Sequence, residues 1–129
     1  MLSEQSTFEA FLEAAKGKRV VGFAAALAVN EISALLSEHG MKFEYIVDND
    51  MWKWGSEISG IPICSPGKLY DEKPGEFVVL ICNQRPFEVE TQLNTMGIKE
   101  CYAYFLWVEL IYRRTGRGST IIYRMVKGA

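Results

Sequence analysis

The residues best suited to chemistry stand at the ends of short apolar runs. One run, residues 20–23, leads into Ala24, Ala25 and Ala26 and then into a helical pattern. Backbone amides at the start of a helix carry partial positive charge and attract anions such as phosphate. This segment of three residues, called the alanine turn below, is therefore predicted to face the phosphates of a nucleotide.

An acidic residue ends the next apolar run. Asp48 closes the segment FEYIVD and follows the alanine turn. A carboxylate about 20 residues after such a turn is typical of a hydrogen bond to an adenosine ribose. The same carboxylate could instead cap the end of a strand in contact with solvent. The sequence leaves both interpretations open.

A polar loop follows the run EFVVLIC. Asn83 and Gln84 carry amides that can hydrogen-bond a ligand, and Arg85 carries a guanidinium suited to phosphate. Alternatively, these residues form an ordinary polar loop ahead of Pro86, a residue that fits the first turn of a helix. Together with the alanine turn and Asp48, Asn83, Gln84 and Arg85 complete the set of predicted binding residues.

Two tryptophans stand in the turn-rich segment after Asp48. The rings of Trp52 and Trp54 could stack on a base or a sugar, or they could cover the sheet edge or a partner. The covering role is the more common one for such rings and is favoured here.

Catalysis and metal binding are not expected of this chain in isolation. His39 is the single histidine, and the cysteines, Cys64, Cys82 and Cys101, are far apart. These residues give neither a nucleophile with a base nor a metal-ligand cluster, so we predict no catalytic and no metal-binding residue. Separated cysteines in apolar surroundings are typical of reduced core residues in a cytoplasmic protein.

Charge and hydropathy limit the classes of partner. The net charge of −2 gives no strong basic footprint for nucleic acid. No apolar run approaches the roughly 18 residues of a membrane span, and the acidic N-terminal segment does not resemble a signal peptide. We therefore expect a cytoplasmic chain without a nucleic-acid or membrane partner.

Apolar periodicity predicts alternating helices and strands. Helices are predicted at residues 1–17, 27–39, 87–96 and 107–113, and strands at residues 18–23, 43–48, 61–66, 76–82, 100–106 and 119–126. Strands that alternate with helices form parallel sheets with helices on both faces. We expect an α/β three-layer sandwich whose first five strands lie in the order 3-2-1-4-5.

The chain is predicted to be one domain, residues 1–129. It comprises an N-terminal helix (1–17), a core (18–105) and a C-terminal helix and strand-like extension (106–129). The run at 119–126 would leave apolar side chains on both faces in solvent, so it is expected to extend a sheet edge. That edge belongs either to this subunit or to a neighbour, and the second arrangement would make a homo-oligomer.

Four segments carry a family resemblance: RVVGFAAALA, YIVDND, WGSEISGIPICSPGKL and FVVLICNQRPFEVETQLNTMGIK. In order and spacing they resemble the Rossmann-like domain of bacterial sugar-nucleotide epimerase and dehydratase relatives, and the similar modules of polysaccharide-biosynthesis proteins. The match spans residues 18–105. The resemblance implies a Rossmann-like fold with NAD(P) or a nucleotide-sugar at the alanine turn.

The alanine turn departs from the pattern of that family. The family has glycines where this chain has Ala24 and Ala26; the first permits a tight turn and the second lets backbone amides approach a pyrophosphate. Methyl groups at these positions hinder a dinucleotide, whereas the position of Asp48 favours one.

Three functions follow, in order of preference. The first is a non-catalytic or degenerate nucleotide-binding-like module associated with sugar-nucleotide or polysaccharide biosynthesis, with a nucleotide or nucleotide-sugar as its ligand. The second is a structural or oligomerisation domain with a closed pocket. The third is a small NAD-dependent epimerase or dehydratase-like enzyme.

Overall fold

The computed structural model describes residues 2–83, 85–104 and 121–125. Within these residues, eight strands form one sheet: β1 (Leu2–Thr7), β2 (Arg19–Phe23), β3 (Phe43–Val47), β4 (Glu57–Ile58), β5 (Ile61–Cys64), β6 (Phe77–Ile81), β7 (Cys101–Tyr104) and β8 (Ile121–Met125). The described part of the chain also holds three helices: α1 (Phe8–Ala15), α2 (Ala28–Glu38) and α3 (Pro86–Thr95). Two 3₁₀ turns, Met51–Lys53 and Pro66–Asp71, lie in the loops.

The five central strands are parallel and lie in the order β5-β3-β2-β6-β7. This is the predicted order 3-2-1-4-5, which is therefore confirmed. Continuous apolar runs produce it because both faces of these strands are covered: all five residues of β6 are buried, as are the last four of β2. β2 pairs with β3 on one side and β6 on the other, so it is the central strand of the parallel region.

Antiparallel strands extend the sheet on both sides of the five parallel strands. β4 pairs with β5 at one end, while β8 pairs with β7 and β1 pairs with β8 at the other. The sheet is thus mixed, with a parallel centre and antiparallel margins. Within this chain, β8 is hydrogen-bonded on both sides, so the C-terminal strand extends the sheet of its own subunit.

The two ends of the chain differ in part from the predictions. The helix predicted at residues 1–17 is only α1, because Leu2–Thr7 forms strand β1 along β8. Backbone pairing with a neighbouring strand overrides the local helix-start signal in this segment. The predicted helix at residues 107–113 lies outside the described residues, as do residues 119, 120 and 126. A homo-oligomer formed through residues 119–126 stays a prediction.

Helices cover both faces of the sheet, as predicted. On one face, Phe11 of α1 and Ile32 and Leu36 of α2 pack in the core. On the other face, Val89 and Leu93 of α3 pack against the sheet. Among the described residues no helix has the length and apolarity needed to cross a membrane.

A polar network closes the edge of the sheet at which the parallel strands begin. The Arg19 Nε donates to Glu72 Oε1 at 2.9 Å, and the Tyr45 hydroxyl donates to Glu72 Oε2 at 2.8 Å. Burial acts to raise the pKa of Glu72, but the hydrogen bonds from Arg19 and Tyr45 outweigh it and lower the pKa. Burial, together with the bond to Glu72, raises the pKa of Tyr45. The Glu72 carboxylate is therefore held in its charged form.

Gly22 of β2 lies against side chains of β3 that pack in the core on the α2 side. A Cβ atom at this position would overlap the Cδ1 of Ile46 and lie 3.1 Å from the Cε1 of Phe43. We predict that Gly22→Ala lowers the free energy of unfolding by about 1–3 kcal/mol, the usual cost of overpacking a core. The double variant Gly22→Ala/Ile46→Val, which removes the overlapping methyl, should recover part of this loss in urea unfolding. Additive losses in the double variant would contradict the steric explanation.

The polar network gives the stability of the fold a defined dependence on pH. Because the folded-state pKa of Glu72 lies below its ordinary value of 4.5, its stabilising effect is complete above that pH and is lost as the pH falls through the folded-state pKa. Glu72→Gln should therefore be less stable than the wild type at neutral pH, and the difference should shrink in acid. Thermal unfolding from neutral pH to pH 3 measures this difference. Glu44→Gln is the matched control, since Glu44 bonds Arg19 at the longer distance of 3.3 Å; an equal loss there would contradict the role of Glu72.

Candidate functional site

The alanine turn connects the central strand to α2. Ala24 is buried and has a φ of 86°, a left-handed conformation that favours glycine. Its amide donates to the carbonyl oxygen of Val47 at 2.7 Å, which ties the turn to the end of β3. The chain thus keeps a glycine-type backbone geometry with an alanine in place.

Asp48 is the residue that holds this turn. Its Oδ2 accepts a hydrogen bond from the Ala25 amide at 2.7 Å, and its Oδ1 accepts one from the Asp50 amide at 2.8 Å. The residue is only 8% exposed. Both oxygens of the carboxylate predicted to meet a ribose are therefore engaged by backbone amides of the chain itself. A contact with a ribose stays a prediction, since each oxygen has a further lone pair.

Lys53 adds a positive charge to this arrangement. Its Nζ lies 3.8 Å from Asp48 Oδ2 and donates to the Ala25 carbonyl oxygen at 3.4 Å. The ammonium group thereby joins the loop after β3 to the alanine turn. Sequence reasoning did not identify Lys53, because a lysine in a turn-rich segment has no spacing that signals such a contact.

The two tryptophans occupy different environments. The Trp54 indole N–H donates to the backbone oxygen of Asp48 at 2.7 Å, and the residue is 41% exposed. Trp54 therefore braces the loop that carries Asp48. Trp52 is 87% exposed, so its ring is almost wholly available to solvent or to another molecule.

The start of α2 has amides without a side-chain cap. Leu27 occupies the N-cap position in a helical conformation and makes no capping hydrogen bond through its side chain. The Ala26 carbonyl accepts from the Val29 amide at 3.0 Å, and Val29 is fully buried under the helix. The helix start retains partial positive charge, while Val29 fills the space beneath it.

The loop after β6 borders the alanine turn. The Cys82 amide donates to the Phe23 carbonyl oxygen at 2.9 Å, and this contact sets the two strand ends side by side. Asn83 Oδ1 accepts from the Arg85 amide at 3.3 Å, and Arg85 is exposed at the start of α3. Gln84 lies outside the described residues. The predicted binding residues that are described therefore share one edge of the sheet.

Direct contact joins only some of these residues. Asp48 contacts the alanine turn, whereas the described hydrogen bonds do not link Asn83 or Arg85 to either of them. A separate pair fastens the loop after β3 to α3: Asn49 and Gln92 exchange two side-chain hydrogen bonds, each of 2.8 Å. The edge is thus stabilised by contacts between its own loops.

The described part of the chain contains two buried thiols, Cys82 and Cys101. Burial raises the pKa of Cys82 to about 12, and that of Cys101 likewise to about 12. Both thiols are protonated at neutral pH, so neither is a thiolate nucleophile. Within residues 2–83, 85–104 and 121–125, no three His, Cys, Asp or Glu side chains cluster closely enough to hold a metal ion.

A comparison with solved structures gives the fold its name. The chain is similar to the crystal structure of UDP-D-quinovosamine 4-dehydrogenase from Vibrio fischeri, with a TM-score of 0.57 and 17% identical residues, over 84% of this chain and 93% of that chain. The fold is Rossmann-like. At this level of identity the likeness shows the fold alone. No family model matches the chain, and a search of curated proteins finds no match either.

The backbone strain expected at Ala24, which has a left-handed conformation, can be tested by substitution. We predict that Ala24→Gly leaves the free energy of unfolding unchanged or raises it by up to about 1 kcal/mol, because relief of strain offsets the added freedom of the unfolded chain. Ala34→Gly, at an exposed position inside α2, should lower it by about 1 kcal/mol. Urea unfolding of the two variants measures the contrast. An equal loss in both would show that Ala24 is not strained.

Proposed function

We propose that this chain is a non-catalytic Rossmann-like module of sugar-nucleotide or polysaccharide biosynthesis whose nucleotide site is closed by its own Asp48. One observation carries the proposal: the Asp48 carboxylate accepts a hydrogen bond from the Ala25 amide at 2.7 Å. In a nucleotide-binding turn, amides of this kind bind phosphate. Here the Ala25 amide meets a fixed internal anion instead.

Charge supports this interpretation. A pyrophosphate that approached the Ala25 amide would meet the Asp48 carboxylate, and like charges at such short range repel strongly. Lys53 neutralises part of that charge from the outside, so the turn is balanced electrostatically without a ligand. The Ala26 methyl group adds a steric obstacle where the family resemblance places a glycine.

The pathway rests on resemblance. The chain resembles sugar-nucleotide epimerase and dehydratase relatives over residues 18–105, and the solved structure to which it is similar is named a UDP-D-quinovosamine 4-dehydrogenase. Both point to the chemistry of nucleotide-linked sugars. In this proposal the module works beside a catalytic partner, and the buried, protonated Cys82 and Cys101 take no part in a reaction.

A second candidate function is an open site that binds a nucleotide or nucleotide-sugar. The uncapped start of α2 and the exposed ring of Trp52 favour it, since phosphate and a base could use these two features together. NAD(P) binding of the usual kind would require the diphosphate to displace Asp48 from Ala25.

Calorimetric titration separates the two. Wild-type protein is titrated with NAD, NADP, UDP and UDP-N-acetylglucosamine, and so are Asp48→Ala, Ala26→Gly and the double variant. A closed site predicts no binding by the wild type and a gain of binding to the UDP compounds in the double variant, because the Ala25 amide and the space beside it become available. If Asp48→Ala proves unstable, Ala26→Gly alone tests whether the Ala26 methyl group hinders binding.

The control is Asp50→Ala. Asp50 is a neighbouring exposed carboxylate that accepts from the Trp52 amide at 3.0 Å and makes no contact with the alanine turn. The Asp50→Ala variant removes the same charge as Asp48→Ala and should not create binding to the UDP compounds. Wild-type binding at micromolar concentration that Asp48→Ala abolishes would overturn the closed site and establish the open one.

A further inference from the structure

We propose that a cavity at the amino edge of the sheet binds a small aromatic carboxylate. The cavity has a volume of about 490 Å³ and lies between the 3₁₀ turn Pro66–Asp71 and the loop that joins α3 to β7. It is at the opposite edge from the alanine turn, so it does not depend on the proposed function. We call it the amino-edge cavity; its lining includes Leu69, Tyr70, Phe77, Met96, Ile98 and Lys99.

The walls of the amino-edge cavity are suited to a flat apolar group. Leu69 and Phe77 are buried in the core on the α3 side, and Met96 and Ile98 pack against the same cluster. Tyr70, 66% exposed, places an aromatic ring at the rim. Pockets for small ligands have volumes of about 300–1,000 Å³ and mostly apolar walls with a few polar groups. Aromatic side chains next to methionine favour an aromatic ligand.

The charged residues that line the amino-edge cavity favour an anionic ligand. Two carboxylates line the cavity, but Glu72 is bonded to Arg19 and Tyr45, and Glu100 is bonded to Lys18 at 2.8 Å. Lys99 also lines the cavity, and no described carboxylate pairs with it. The two acids are thus neutralised in place, which leaves the Lys99 ammonium group as the available charge. A carboxylate attached to an aromatic body satisfies both the walls and this charge.

A larger cavity of about 670 Å³ lies farther along the same edge and is explained without a ligand. Its lining includes Lys16, which directly follows the last residue of α1. A positive group at this position complements the negative end of the helix dipole. The amino-edge cavity has no such explanation for Lys99.

The test uses two ligands of nearly the same shape, one negatively charged and one neutral. Naphthylacetate and its neutral isostere naphthylacetamide are titrated into the whole chain and followed by amide NMR, with Gly75 and Gly97 as reporters in the cavity lining. The acid should bind more tightly than the amide. Lys99→Ala should weaken binding of the acid by up to about fivefold, the upper end of the range for an ion pair in contact with solvent, and leave the amide unaffected. Tyr70→Ala should weaken both ligands equally.

The control for charge is Lys73→Ala, an exposed lysine in the loop beside the cavity that is not part of its lining. It removes the same charge, and the preference for the acid should survive. The proposal fails if the reporters do not shift, if acid and amide bind equally, or if Lys73→Ala and Lys99→Ala have the same effect. Reporter shifts that depend on protein concentration without ligand would assign the cavity to a second copy of the chain and would equally overturn the proposal.

Discussion

The hydrogen bond between the Asp48 carboxylate and the Ala25 amide joins the ends of two neighbouring parallel strands. β2 is the central strand, and its exit determines where α2 begins and which face of the sheet that helix covers. Since the Asp50 amide and the Lys53 ammonium group meet the same carboxylate, one buried side chain fixes the alanine turn and the loop after β3 together. Charge-assisted bonds of this kind are among the stronger polar contacts in proteins.

The alanine turn has a backbone geometry that glycine adopts more easily than alanine. Ala24 has a positive φ, which is costly for any residue with a Cβ atom. Such a conformation persists only where the surroundings over-determine it. Here the Val47 carbonyl oxygen holds the Ala24 amide, and Asp48 holds the next amide along. These contacts from Val47 and Asp48 maintain the strained turn.

The parallel core was predictable because its signal is strong and the alternatives are few. Runs such as FVVLI are buried on both faces, and right-handed crossovers leave a small number of strand orders. Two of the marginal strands, β1 and β4, gave no comparable signal. β4 has two residues, and Leu2–Thr7 is polar, so both depend on backbone pairing with a neighbour. The contacts that Asp48 makes within the chain could not be predicted from the sequence either. They depend on the loop geometry, which brings backbone amides and an ammonium group to one carboxylate.

The pairing of β1 with β8 imposes an order on folding. Leu2 faces Met125 in the register, so the strand nearest the start of the sequence is joined to the one nearest its end. Closing so long a loop has a high entropic cost and contributes to a high contact order, which slows folding. During synthesis the segment Leu2–Thr7 is made well before its partner strand β8. β1 can therefore join the sheet only after β8 has been made, and the outer edge of β8 stays open until the two strands pair.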